Sequence, residues 1–268
     1  MDKQNQKSSL LQKAMDSDPY ANVHLTKEET EAALREARRK KQASINEKEY
    51  WERVSQPKKY AVFNKDELRD FTIKNIKESI PNFVFDDINS DIFARLCYYF
   101  SGDPFYEELP GNFSLRKGIA LIGPVGCGKT TLIKAFNKNQ RSSYIVTSCR
   151  QVAGDYSSKD GGGDLAIKKY SGLVEVIPND YWGQRFVGRC FDDLGTETAK
   201  KHFGNETNVM EEILLNRYDS PALIGKTHFT SNLTSNEIEQ MYGTRVLSRI
   251  KEMFNCHIFS PQSPDRRK

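Results

Sequence analysis

The residues Gly123-Pro-Val-Gly-Cys-Gly-Lys-Thr130 carry the most specific chemistry in the chain, because they meet every fixed position of the pattern GxxxxGK[ST]. An apolar run, Ile119-Ala-Leu-Ile122, precedes them, and an apolar helical stretch, Thr131-Leu-Ile-Lys-Ala-Phe136, follows. That is the strand-then-helix context the pattern requires. Glycines let such a loop curl so that successive backbone N–H groups face phosphate oxygens, and the helix N-terminus adds its partial positive charge. Gly123, Pro124, Val125, Gly126, Cys127, Gly128, Lys129, Thr130 and Thr131 are therefore the candidate cradle for ATP. Lys129 is expected to reach the β- and γ-phosphates and Thr130 to ligate Mg²⁺. Cys127 sits at an unconstrained position, and nothing in the sequence gives it the lowered thiol pKa that reactivity needs.

A phosphate loop of this kind needs an acidic partner at the end of a neighbouring strand. The segment Val187-Gly-Arg-Cys-Phe-Asp192-Asp193-Leu-Gly195 supplies one 62 residues after Thr130. Asp192 is the candidate Mg²⁺ ligand, direct or through water, and Asp193 the group that orients or polarises the attacking water. An acidic pair also arises at surface turns. In addition, Gly188 and Arg189 interrupt what should be a nearly continuous apolar strand.

The elements that must position these residues follow from periodicity. Short apolar runs alternate with helical stretches, which predicts a parallel α/β sheet. The expected strands are Gly118–Ile122, Ser143–Thr147, Phe186–Phe191, Ala222–Thr230 and Cys256–Phe259; the expected helices are Lys129–Asn137, Leu165–Leu173, Glu206–Tyr218, Ser235–Met241 and Arg245–Phe254. Before the sheet, Asn64-Lys-Asp-Glu67 is a capping box that opens a helix ending at Pro81, and a second helix fits Ser90–Phe100. Residues 1–59 contain 13 basic and 10 acidic residues and few large aliphatics, too few to build a core. Thr26-Lys-Glu-Glu29 caps an expected helix from Lys27 into the fifties, with Glu31–Arg35 and Glu36–Lys40 pairs along it. Its thin stripe of Leu34, Ala37, Ile45, Tyr50, Trp51 and Val54 suits a solvated arm or one that docks on a partner, and Pro57 marks a hinge. The expected organisation is an arm over 1–59, a helical lead-in over 60–110 and an ATPase core over 111–268.

Composition excludes several classes. The chain has 268 residues and a net charge of +4, with a mean hydropathy of −0.67. No apolar run approaches the roughly 18 residues of a membrane span, and Met1 to Lys13 is too polar for a signal peptide. Five cysteines without a CxxC pair argue against a disulfide framework or a zinc site and fit a reducing cytoplasm. His24, His202, His228 and His257 are scattered and read as structural or surface residues.

The phosphate loop, Phe191-Asp-Asp-Leu-Gly195 and the strand ending Thr230-Ser-Asn-Leu233 together resemble the AAA+ ATPases of the DnaC/IstB-like family, which are helicase loaders and transposition helper ATPases. The resemblance covers about Gly118 to Phe259 and implies a five-stranded AAA+ type P-loop fold. It also implies that Asn232 occupies the place of the sensor residue that hydrogen-bonds the γ-phosphate or the attacking water. By spacing alone, this Ser-Asn pair also reads as a helix cap, and Thr234-Ser-Asn-Glu237 forms its own capping box. Tyr242-Gly-Thr-Arg245-Val-Leu-Ser-Arg249 is similar to the family's arginine-bearing helix, with Arg249 as the finger into a neighbouring subunit and Arg245 in support. Only 19 residues follow Arg249, too few for a helical lid, so no second sensor arginine is assignable, and Arg266 and Arg267 are expected to stay solvated. In related loaders the region after the second strand faces single-stranded DNA; here it holds Lys159, Lys168, Lys169 and Tyr170.

What the resemblance implies is an ATP-dependent helicase loader that acts in DNA replication as a homo-oligomer, with a replicative helicase bound through the arm. The same core suits a transposition helper whose client is a transposase. A monomeric P-loop kinase and an adaptor that binds nucleotide without turnover are the readings from other classes.

Overall fold

The computed structural model describes residue 20 and residues 23–55, 60–197, 200–202 and 205–266. The chain divides into two units, Met1–Pro57 and Lys58–Lys268. The Pro57 hinge and Arg267 lie outside the described residues.

In the first unit, helix α1 (Lys27–Ser55) starts at the Thr26 box: Thr26 Oγ1 accepts from the Glu29 backbone N–H at 3.2 Å, and Thr26 N–H donates to Glu29 Oε2 at 2.8 Å. The expected ion pairs form, Arg35–Glu31 at 3.4 Å and Lys40–Glu36 at 2.8 Å, and Leu34, Tyr50 and Trp51 are exposed.

The second unit begins with α2 (Lys65–Ser79), opened by the Asn64 capping box, and α3 (Asp87–Ser101), which is capped by Asp86 and starts three residues before the expected Ser90. The sheet strands are β1 (Gly118–Ile122), β2 (Tyr144–Ser148), β3 (Val174–Glu175), β4 (Phe186–Leu194), β7 (Thr227–Ser231) and β8 (Phe254–Ile258); β5 (Lys200–His202) and β6 (Asn205–Thr207) pair separately as an antiparallel hairpin. The order is β2-β4-β7-β1-β8, every neighbour on that path parallel, with β3 antiparallel to the start of β4. Helices α4 (Lys129–Ala135), α5 (Cys149–Tyr156), α6 (Asp164–Ser171), α7 (Val209–Tyr218), α8 (Pro221–Ile224) and α9 (Ser235–Met253) complete the fold. Each sheet face carries its own apolar cluster. One contains Phe191, Phe229, Ile213 and Val246; the other, built with α2 and α3, contains Leu96, Phe100, Phe136 and Tyr144. The sheet has the expected helix-flanked parallel path of five strands, and β3 adds a sixth, antiparallel one.

Glu206, the expected start of a helix, lies in β6, and that helix starts only at Val209 after its Asn208 cap; three further expectations change in detail. Ala222 to Ile224 is helical because Pro221 supplies a helical first position, and β7 starts only at Thr227. The two helices expected around Gly243 are one element broken there, where the glycine backbone (φ 82°, ψ 165°) leaves the helical region. The third concerns β4, which Gly188 and Arg189 do not interrupt. A Cβ on Gly188 would lie 2.2 Å from the Lys226 carbonyl oxygen, so the bare glycine is what lets β4 approach the end of α8. Arg189 is buried but satisfied, donating to the carbonyls of Lys169 at 2.7 Å and Gly172 at 3.2 Å.

Two imidazoles lie deep in this core. His228 Nδ1 accepts from the Ile119 backbone N–H at 3.0 Å, and His257 Nε2 meets the Tyr106 hydroxyl at 3.0 Å. Burial pushes both down to about 3 and so holds them neutral.

Gly188→Ala is expected to lower unfolding free energy by about 2 kcal/mol or more through this backbone clash, measured by urea denaturation. Because the unfolded chain protonates both imidazoles near pH 6.5 and the folded one only near 3, stability is full above about pH 6.5 and falls as pH drops below it. Denaturation midpoints at pH 7.5 and 5.5 check that sign.

Candidate functional site

The site lies at the carboxyl ends of β1, β4 and β7, the edge where parallel α/β sheets bind ligands. The phosphate loop leaves β1 with Gly123 N–H donating to Ser231 O at 3.1 Å, and turns through Gly126 and Gly128 at φ 80° and 100°, a region closed to most side chains. It delivers Lys129 and Thr130 to the first turn of α4.

Lys129 is 4% exposed, and its ammonium has three oxygen acceptors: Gly123 O at 2.9 Å, Pro124 O at 2.8 Å and Asn232 Oδ1 at 2.6 Å. Three protons meet three oxygens, so the charge is buried without an orphaned donor. Asn232, the expected sensor, therefore lies against the loop lysine and is not spent on a helix cap. Thr234 does the capping of α9, through its own box with Glu237.

The acidic pair depends on an irregularity in β4. Adjacent strand residues point to opposite faces, so a regular strand would send Asp192 and Asp193 apart. The β4–β7 register shifts between Phe191 and Leu194, and Asp193 takes a left-handed backbone at φ 58°. Aspartate is among the few residues that tolerate this conformation, and bulges of this sort re-aim side chains. Asp192 Oδ1 accepts from Thr130 Oγ1 at 2.9 Å and from Thr230 Oγ1 at 2.7 Å. The same Thr230 hydroxyl accepts the Asp193 backbone N–H at 2.9 Å. One hydroxyl thus fixes both acids, and Asp193 is left facing the cavity.

That cavity, about 540 Å³, is lined by Gly126, Gly128, Lys129, Thr130, Thr131 and Asp193 on one side and by Ile80, Phe83, Val84, Asp86, Pro264 and Arg266 on the other. A second cavity of about 770 Å³ adjoins it along α4. The described residues hold no group of three or more His, Cys, Asp or Glu that would bind a metal by themselves. Thr130 and Asp192 nevertheless fit Mg²⁺, which takes hard oxygen ligands and keeps several waters and phosphate oxygens in its shell. Cys127 is fully buried, as are Cys97, Cys149 and Cys190.

Other expected site residues are placed elsewhere. Arg245 is exposed, and Arg249 donates to the Tyr218 hydroxyl at 2.9 Å and to Glu252 at 3.1 Å, with its guanidinium 4.1 Å above the Tyr218 ring. Neither lines the cavity. Of the expected DNA contacts, Lys159 and Lys168 are exposed, and Lys169 pairs with Asp155 at 2.9 Å. Tyr170 is corrected: it is 2% exposed, packed under the Arg189 guanidinium with its hydroxyl on Asp155 at 2.7 Å, so its ring is not presented to a base. Arg266 is also corrected. It is not solvated but donates to Cys127 O at 2.8 Å and pairs with Asp86.

Sequence reasoning missed Thr230, Asp86 and Glu197. Thr230 had a signal, a hydroxyl at the end of the strand next to the acidic pair. Glu197 is buried, accepting the Gly195 N–H at 3.0 Å and the Tyr242 hydroxyl, and burial raises its pKa despite those bonds. It ties the turn after Asp193 to α9 just before the Gly243 break.

No family model matches the chain. A stretch of 82 residues is 35% identical to the phosphate import ATP-binding protein PstB of Synechococcus elongatus, covering 28% of this chain and 28% of that protein. The chain thus spans under a third of that relative's length. Among solved structures, the AMPPCP-bound DnaA of Aquifex aeolicus aligns with a TM-score of 0.42 and 18% identity over 71% of this chain and 52% of that one. Fold and loop geometry together fit a phosphate-binding loop of the GxxxxGK[ST] type.

Lys129→Ala is expected to weaken ATP binding by 100-fold or more, on the order of 3 kcal/mol, without unfolding the protein. Asp193→Asn is expected to bind ATP within a few-fold of wild type while hydrolysis falls about 10² to 10⁴-fold. Equilibrium titration and steady-state phosphate release check both.

Proposed function

We propose that the protein is an AAA+ type ATPase that loads a replicative helicase during DNA replication, working as a homo-oligomer with each ATP site completed by an arginine from the neighbouring subunit. The observation that carries this reading is the division of the catalytic set: Lys129, Thr130 and Asp193 line one cavity, with Asn232 and Asp192 hydrogen-bonded to Lys129 and Thr130, while Arg249 sits apart from it on the α7–α9 surface. Phosphoryl transfer needs positive charge on the γ-phosphate in the transition state, and an arginine supplied in trans typically contributes about 10³ to 10⁵ in rate.

In this account the ammonium of Lys129 gives up the Gly123 and Pro124 carbonyls for phosphate oxygens. Thr130 and Asp192 hold Mg²⁺, which when bound neutralises charge on the β- and γ-phosphates. Asp193 orients the attacking water and accepts its proton, and Asn232, already beside Lys129, contacts the γ-phosphate or that water. The exposed Leu34, Tyr50 and Trp51 of α1 support a role for the arm in docking the helicase. Exposed Lys159 and Lys168 support contact with single-stranded DNA through phosphates.

Arg249→Ala is expected to bind ATP normally and lose DNA-stimulated hydrolysis. Mixing it with Lys129→Ala restores part of the activity, because the latter subunits still carry Arg249. Wild-type hydrolysis by Arg249→Ala, or no recovery on mixing, would contradict a site shared between subunits. Co-elution of the full chain with a replicative helicase in ATP tests the client, and co-elution with a transposase in its place would favour the transposition role.

A further inference from the structure

Beyond β8 the chain leaves the sheet at Phe259 and returns to the phosphate loop. The Arg266 backbone N–H donates to Gly126 O at 3.0 Å, its guanidinium donates to Cys127 O at 2.8 Å, and the same guanidinium pairs with Asp86. The arginine side chain is only 15% exposed. Asp86 is itself fixed, since its other oxygen accepts the Ile88 and Asn89 backbone N–H groups at 3.0 and 3.1 Å as the cap of α3. Burial pushes its carboxyl up, but Arg266 and those N–H groups outweigh this and hold it below the ordinary carboxylate range.

These contacts bear on phosphate binding through peptide geometry. In a planar trans peptide the C=O and the N–H point in opposite directions. The carbonyls of Gly126 and Cys127 share their planes with the N–H groups of Cys127 and Gly128, which belong to the run of amides that such a loop turns toward phosphate. Holding the two oxygens from outside therefore fixes the two N–H groups inside. The fit is close: a Cβ on Gly126 would lie 2.0 Å from Asp265 Oδ1, so the loop is bare where the returning chain presses on it. Pro264 and Arg266 also wall the cavity that holds Lys129, Thr130 and Asp193.

We propose that Arg266 is a positioning residue for nucleotide binding, presetting the amide cradle for the β-phosphate by anchoring the Gly126 and Cys127 carbonyls to the capped start of α3. The proposal rests on the cavity being the nucleoside triphosphate site.

The test titrates ATP and ADP, with Mg²⁺, into full-length wild type, Arg266→Ala and Arg266→Lys, and follows amide exchange at Cys127 and Gly128 in the nucleotide-free proteins. Arg266→Ala is expected to weaken ATP and ADP by the same factor, about tenfold, since both carry a β-phosphate. It should raise KM with kcat within about twofold of wild type and speed exchange at the two amides at an unchanged melting temperature. Arg266→Lys, which keeps the charge facing Asp86 but loses the planar fork, falls between. Equal binding by wild type and Arg266→Ala, or a loss confined to ATP, overturns the positioning role alone. Wild-type protein that binds neither nucleotide overturns the site reading, and the role of Arg266 with it.

Discussion

The Asp192 carboxylate is the contact on which the rest of the site depends. Through Thr130 it ties down the first turn of the helix after the phosphate loop, and through Thr230 it ties down the end of β7. Three elements that are far apart in sequence thus meet at one buried oxygen, where charge-assisted hydrogen bonds are stronger than neutral ones. The bulge in β4 allows the meeting, because it sends Asp192 toward the loop without sending Asp193 to the opposite face. The geometry is set by the sheet, with the parallel β4–β7–β1 order placing an aspartate, an asparagine and the glycine-rich loop at adjacent strand ends.

Around this centre the structure encloses the loop from two further sides. Asn232 reaches Lys129 from the end of β7, and Arg266 reaches the outer carbonyls from beyond β8. Lys129 thus rests on acceptors that phosphate oxygens can replace, while the loop backbone is held by groups that need not move. In the proposed account this separates a mobile charge from a fixed cradle, which is preorganisation in the sense used for catalytic sites. Glu197 and Tyr242 extend the contact network from the Asp193 turn to α9, the helix that carries Arg245 and Arg249.

Most of the candidate site was legible because its residues are local in sequence. GxxxxGK[ST] occupies eight consecutive positions, and the acidic pair with its strand occupies nine, so pattern and flanks could be read together. The place of Asn232 beside the loop was expected only through resemblance, since its own neighbourhood also spells a helix cap. Gly188 and Arg189 looked like defects in a strand because the carbonyls that explain them, Lys226, Lys169 and Gly172, come from other elements. Arg266 was misread for the same reason. Its partners Asp86 and Cys127 lie 180 and 139 residues away, and no local pattern distinguishes a half-buried, paired arginine in a short polar stretch from a solvated one. Tyr170 shows the converse, a residue whose type suited base stacking and whose ring the fold had already used.

The most direct test of the account is a crystal structure of the full chain with a non-hydrolysable ATP analogue and Mg²⁺. The account predicts the β-phosphate within hydrogen-bond reach of the amides of residues 126–130, the Lys129 ammonium moved from the Gly123 and Pro124 carbonyls onto phosphate oxygens, and the metal between Thr130 and the nucleotide with Asp193 facing the γ-phosphate. Nucleotide bound away from the loop, or bound there with Lys129 still on both carbonyls, would contradict it.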